Sequence, residues 1–164
     1  MATYDVTGPG GVNRPGRYNP GIRTPYLVEN TIDVSAINGD AGSANGDILQ
    51  CIDIPAETLI MNAGVEVLTA CSSSTTIDIG VTGTTAGFSD ADAYVDGYDA
   101  TGAAYSGSLG VLPIIAKTAD TLDALLAGAA STAGKIRVWA VFCDVSGINE
   151  SDHNTSTQHD TDVS

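Results

Sequence analysis

Carboxylates are the groups in this sequence best placed to do chemistry. Asp90, Asp92, Asp96 and Asp99 fall within ten residues, and oxygen ligands at that density suit Ca²⁺. The spacing departs from an EF-hand loop, which needs an oxygen ligand at its fifth position and Gly at its sixth; counted from Asp90 these are Tyr94 and Val95. The segment therefore reads as a solvated acidic loop, with a weak calcium site as the competing reading, and no metal or cofactor is expected. A serine or cysteine hydrolase needs a base beside its nucleophile, yet the two histidines, His153 and His159, lie in a polar C-terminal stretch. Nothing marks any of the scattered acids as a glycosidase pair. Gly80 to Gly87 is glycine-rich without a following Lys, and Gly134-Lys135 is followed by Ile136 where a phosphate loop needs Ser or Thr. Cys51, Cys71 and Cys143 are odd in number and far apart, so buried free thiols are expected in place of a disulfide framework or zinc site. The reading is non-enzymatic.

The elements that would have to position such groups follow from composition and periodicity. A chain of 164 residues is the usual size of one domain and buries a core without staples. Twenty acidic against six basic residues give a net charge of −14, which repels a phosphate backbone and excludes nucleic acid as a partner of the main body. No apolar run reaches the ~18 residues of a membrane span, and Met1-Ala2-Thr3-Tyr4-Asp5 lacks a signal peptide's basic and apolar regions, so no membrane is expected and synthesis in a cytoplasm is. The triplets beginning at Asn149 and Asn154 resemble glycosylation acceptors and are then chance features of a polar tail.

Between the ends the signal is strand-like alternation punctuated by Gly, Asn and Asp. Tyr26 to Val34 reads as a first strand. Ile48 to Ile54 places Ile48, Ile52 and Ile54 on one face, closed by Pro55. Val65 to Thr69 and Ile77 to Val81 follow, joined through Ser72-Ser73-Ser74. Ala86 to Ala104 reads as loop, with a short helical turn around Phe88 to Tyr94. Leu109 to Ala116 is a later strand, and Ile136 to Val145 is apolar enough for a central strand covered on both faces, with Trp139 and Phe142 on opposite sides. Leu122 to Leu126 fits a helix face or a strand; Gly128 and Gly134 favour a strand that pairs with Ile136 to Val145 through the intervening loop. Seven or eight short strands and no long helix give an all-β fold, an antiparallel β-sandwich of jelly-roll type.

The ends differ from the body. Met1 to Arg23 holds three arginines and one acid, a net charge of +2, leaving −16 on the remainder. Residues 1–25 form a Gly/Pro-rich basic arm that proline and glycine keep extended and free of helix. Residues 26–148 form the sandwich, and 149–164 a polar, acidic tail expected to be disordered. The arm carries Arg14, Arg17, Tyr18, Ile22, Arg23 and Tyr26: arginine forks for carboxylates, apolar anchors, and backbone able to join a partner's sheet edge. A leader without a role is the competing reading of the same residues.

The order of blocks from Asp47 to Gly147 resembles a family of small virion structural proteins of tailed bacteriophages, the capsid decoration or cement proteins. The blocks are Asp47-Ile48-Leu49-Gln50-Cys51-Ile52-Asp53-Ile54-Pro55-Ala56, Gly64-Val65-Glu66-Val67, Ile77-Asp78-Ile79-Gly80, Ala93-Tyr94-Val95-Asp96-Gly97 and Gly134-Lys135-Ile136-Arg137-Val138-Trp139-Ala140-Val141. The resemblance implies a β-sandwich that forms a homo-oligomer, often a trimer, and binds the major capsid protein on the outer surface of an assembled head, which it stabilises. It carries over no catalytic residue. The competing class is a virion-surface carbohydrate- or receptor-binding module, with Tyr94, Tyr98 and Tyr105 as a sugar-binding rim.

Overall fold

The computed structural model describes residues 3–5, 24–83, 88–103, 105–106 and 113–145, of which 3–5, 105 and 106 as backbone only. Ten strands are assigned in chain order: β1 (Thr3–Asp5), β2 (Tyr26–Asp33), β3 (Asp47–Ile54), β4 (Thr58–Thr69), β5 (Thr76–Val81), β6 (Asp90–Asp99), β7 (Tyr105–Ser106), β8 (Ile114–Ala116), β9 (Asp120–Ala127) and β10 (Lys135–Asp144). They make two sheets. Sheet A has the order β1-β3-β9-β5-β6; sheet B has the order β2-β10-β4-β7, with β8 also on β4. All pairs are antiparallel except β1 with β3.

Setting β1 aside, the chain passes between the sheets at almost every connection, and its first and last long strands, β2 and β10, lie side by side. This is jelly-roll topology, in which two sheets close over one another and no single hairpin accounts for the core. The physical cause is alternation. Leu49, Ile52, Ile77, Ile79, Leu122 and Leu126 from sheet A meet Ile32, Ile60, Val65, Ile136, Val138 and Phe142 from sheet B, all buried. Fully burying each such side chain stabilises the fold by roughly 1.5–3 kcal/mol.

The connections gather at two poles. At one, Ser43 and Ser131 exchange backbone hydrogen bonds (2.8 and 3.0 Å), the Ser131 hydroxyl accepts from the Ser72 N–H (2.9 Å), and the Val34 N–H donates to the Gly134 carbonyl (2.9 Å). At the other, Tyr26 and Phe142 are register partners, and the Val145 N–H donates to the Glu57 carbonyl (2.9 Å). The Ser72–Ser74 run is the link between β4 and β5, and it carries the chain from sheet B to sheet A.

Several sequence expectations are corrected. Residues 86–104 are not mainly loop: Asp90–Asp99 is a ten-residue strand at the edge of sheet A, without a helical turn. An edge strand tolerates a charged, exposed side, so its aspartates disguise it as loop. Strand β9 is confirmed as a strand but does not pair with β10; it lies between β3 and β5. The small-residue loop after Gly128 crosses between sheets instead of closing a hairpin. Ile48 does not share a face with Ile52 and Ile54. A bulge between Gln50 and Ile52 pairs Ile48 with Leu125 but Ile52 with Leu122, and one extra residue reverses which side a strand presents. Finally, β10 is central yet covered on one face only: Ile136, Val138, Ala140 and Phe142 are buried, whereas Arg137, Trp139 and Val141 are half-buried. Trp139 and Phe142 do fall on opposite faces. The expected disordered tail, 149–164, and residues 109–112 of the strand expected over Leu109 to Ala116 lie outside the described residues.

Candidate attachment surfaces

Of the arm residues singled out, Tyr26 is described; Arg14, Arg17, Tyr18, Ile22 and Arg23 lie outside the described residues. Tyr26 opens β2 and packs edge-on against Phe142, with ring centroids 6.1 Å apart and planes at 88°, a favoured aromatic geometry. Burial, and then the negative charge of Asp144, push its phenol up to about 12, so it remains a neutral anchor. The chain thus enters β2 at an aromatic pair. Further towards the N-terminus, Thr3, Tyr4 and Asp5 run parallel to Ile48, Leu49 and Gln50.

The outer face of sheet B carries the groups that the sequence reading missed. Arg137, in the middle of β10, donates through Nε to Glu66 Oε2 (2.9 Å) and through Nη2 to the same oxygen, while Nη1 stands 3.9 Å from Glu29. Arg137 and Glu66 are register partners across β10 and β4, which places their side chains together. Beside them Trp139 stands between Glu29 on β2 and Gly64 on β4, and Gly64 offers no side chain to compete with the indole. Towards the Tyr26 end the face turns apolar, through the pairs Leu27 with Val141, Cys143 with Leu59, and Leu59 with Ile115. Leu27 is 62% exposed and Ile115 47%. Every large exposed hydrophobic among the described residues, Met61 and Leu68 included, is on a strand of sheet B. Met61 and Leu68 sit where β4 shifts register against β10. Such a patch, with an aromatic and an arginine at its margin, has the composition of an interface centre. The signal was present in the sequence: the face of β2 that alternates Leu27, Glu29 and Thr31, and a lone arginine within an apolar strand.

The acidic edge is different in kind. Asp90 and Asp92 lie two apart on β6, and hydrogen bonding between their carboxyls raises Asp90 above its ordinary value. Asp78 is raised by burial and by Asp96 and Asp92, against the opposing effect of the Gly97 N–H that it accepts at 2.5 Å. Asp99 is taken up by its own turn, accepting from the Thr101 N–H (2.9 Å) and hydroxyl (2.7 Å). The four acids singled out are therefore strung along a strand, and among the described residues no three His, Cys, Asp or Glu side chains gather as a metal site. Inside the sheet, Asp123 is 1% exposed and accepts from the Thr82 N–H (3.1 Å), the Thr82 hydroxyl and the Thr121 hydroxyl (2.7 Å). Burial raises it nonetheless. All three cysteines are free and buried, and burial pushes the Cys51 and Cys71 thiols up, away from reactive thiolate. Tyr94 is 1% exposed and so is withdrawn from any sugar-binding rim. The two histidines lie outside the described residues.

No family model and no curated protein matches the sequence. Solved structures do match in fold. A chain from the capsid of Ralstonia phage GP4 aligns with a TM-score of 0.64 at 13% identity, covering 87% of this chain and 97% of that one. A chain from the capsid asymmetric unit of cyanophage Pam1 gives 0.53 at 14% identity, covering 79% and 99%. A chain from the acidic stable capsid of Helicobacter pylori bacteriophage KHP30 gives 0.53 at 11% identity, covering 74% and 90%. At these identities the likeness is one of fold.

Proposed function

We propose that the chain is a structural component of a phage particle, a decoration or cement protein that binds the outer surface of an assembled head and stabilises it. The observation that carries the reading is the near-complete two-way coverage with a chain from a phage capsid, 87% of this chain and 97% of that one at a TM-score of 0.64. Surface chemistry supports it: an apolar patch on sheet B suited to a protein partner, and an acidic edge that repels nucleic acid.

In this reading the major capsid protein is the partner, and the arm through Arg14, Arg17, Tyr18, Ile22 and Arg23 contributes attachment by pairing with shell carboxylates and a shell sheet edge. Several arms on one oligomer, a trimer in our reading, would multiply individually modest contacts. The test is to add the purified protein to assembled heads that lack it, and to image them. Ordered density on the outer surface, lost on deletion of residues 1–23 while the sandwich stays folded, is the expected result. Heads that bind none of the full chain would overturn the decoration role; equal occupancy by the deletion variant would overturn the arm's part in it.

A further inference from the structure

The three-residue strand β1 occupies a bounded seat. Its last pair joins Asp5 to Gln50, and at the next residue of β3, the bulged Cys51, the carbonyl accepts a hydrogen bond from Asn30 Nδ2 of β2 at 2.9 Å. That bond also fixes distances. Asn30 lies four residues into β2 from Tyr26, so Asp5 and Tyr26 are separated by about one sheet spacing, ~10 Å, plus about four strand rises, ~13 Å. About seven extended residues cover that path at ~3.3 Å each. The chain has 20, from Val6 to Pro25, which extended reach about 65 Å. A body of this size has a radius of gyration of about 14 Å. The connection is therefore long enough to leave its own sandwich and cross to the next.

Composition favours that route. Pro9, Pro15 and Pro20 in this stretch bias themselves and the residues before them towards extended backbone, which opposes a compact return loop. Arg14, Arg17 and Arg23 give the first 23 residues a net charge of +2 against −16 on the rest. A basic arm laid across a neighbouring acidic body offsets the repulsion that such bodies otherwise exert on each other.

We propose that the seat on β3 is filled in trans, by the Thr3–Asp5 strand of a second copy of this chain, so that strand exchange links the copies. The inference builds on the reading of the protein as a component present in many adjacent copies, and it assigns the tip of the arm to a sister copy. Exchange of an identical element is a low-cost route to closed oligomers.

The test uses the full chain alone, without shells, so failure to bind heads leaves its outcome intact. Thr3→Cys and Ile48→Cys replace register partners; Ile48 is buried at 8% exposure but lies outside the main core cluster. The two single variants are unfolded together, refolded, oxidised and run on a denaturing gel without reductant, with the linked peptides identified by mass spectrometry so that buried Cys51, Cys71 and Cys143 are not mistaken for them. The expected result is a covalent link between chains at positions 3 and 48, and multimeric bands from the double variant. A double variant that yields only monomers closed internally between 3 and 48, with no link in the mixture, overturns the proposal. So does the absence of any link between 3 and 48. A photocrosslinking side chain in place of Tyr4, with β3 unaltered, repeats the test without touching the sandwich: adducts to another copy's β3 support exchange, and adducts confined to the same chain overturn it.

Discussion

Gly134 and Cys71 touch in a way that forbids any other residue at position 134. A Cβ there would lie 2.6 Å from the Cys71 Sγ and 3.2 Å from its Cα, and the backbone at Gly134 has φ +126°, a region that side chains rarely adopt. Gly134 also accepts the Val34 N–H, so this one close approach locks the loop before β10 against the loops after β2 and β4. Gly134→Ala is expected to destabilise the fold by about 2–3 kcal/mol, from strain plus displaced backbone. Urea unfolding checks it, and Cys71→Ala in the same chain should recover only the part due to the thiol clash.

Asn30→Ala removes the donor to the carbonyl at the β3 bulge. Leaving a largely buried acceptor unsatisfied costs about 1–3 kcal/mol, and here the bond joins opposite sheets, 21 residues apart in sequence. The lower urea midpoint should come with faster hydrogen exchange in β3 around Cys51; slowed or unchanged exchange there would count against the role of this bond.

The pH dependence has a definite sign. Asp123, Asp78 and Asp90 are all raised, the first two chiefly by burial and Asp90 by hydrogen bonding to Asp92. A carboxyl that titrates higher in the folded than in the unfolded state binds more protons when folded, so stability falls as pH rises from the ordinary value, ~3.9, through the raised one. Asp33 and Asp99, lowered by their bonds to Ser35 and Thr101, contribute in the opposite sense: their stabilisation is present above the ordinary carboxylate value and is lost as pH falls through their lowered ones. Thermal unfolding should therefore be most favourable to the fold in mildly acidic solution. Asp123→Asn keeps the shape and an acceptor for Thr82, and it should flatten the decline towards neutral pH; an unchanged slope would remove Asp123 from the explanation.

Leu27→Asp with Ile115→Asp tests the outer face of sheet B. Leu27 is 62% exposed and Ile115 47%, so stability should change by no more than about 1 kcal/mol. Occupancy on assembled heads should drop sharply. Full occupancy with unchanged folding would remove this face from the attachment surface.

How much of this was legible in the sequence depended on whether a signal was local. Strands β3 and β5 alternate Ile and Val between turn residues and β10 is a nearly continuous apolar run, so their places are local signals. The sandwich class followed with them. Strand β6 was hidden because Asp90, Asp92, Asp96 and Asp99 are turn formers by type, while the partners that make them an edge lie in β5. The bulge at Cys51 leaves no local trace, and it reversed the face assigned to Ile48. The partner of β9 is set by a loop that crosses the sandwich, held by Ser43 and Ser131, 88 residues apart. Of the candidate attachment surfaces, the N-terminal segment stood out through charge and proline. The Arg137–Glu66 pair and the apolar corner of Leu27, Val141 and Ile115 needed the register of four strands.

The side-by-side placement of β2 and β10 gives the molecule two unlike ends. The chain enters the sandwich at Tyr26 and completes its last strand at Asp144, with Tyr26 and Phe142 paired directly across the ladder. The serine-lined turns around Ser43, Ser72 and Ser131 cap the opposite end. A foreign peptide spliced at Ser73, exposed in the turn between β4 and β5, would project from the end of the body opposite Tyr26. On the decoration reading proposed above, a coated particle would carry one copy of that peptide for each bound chain.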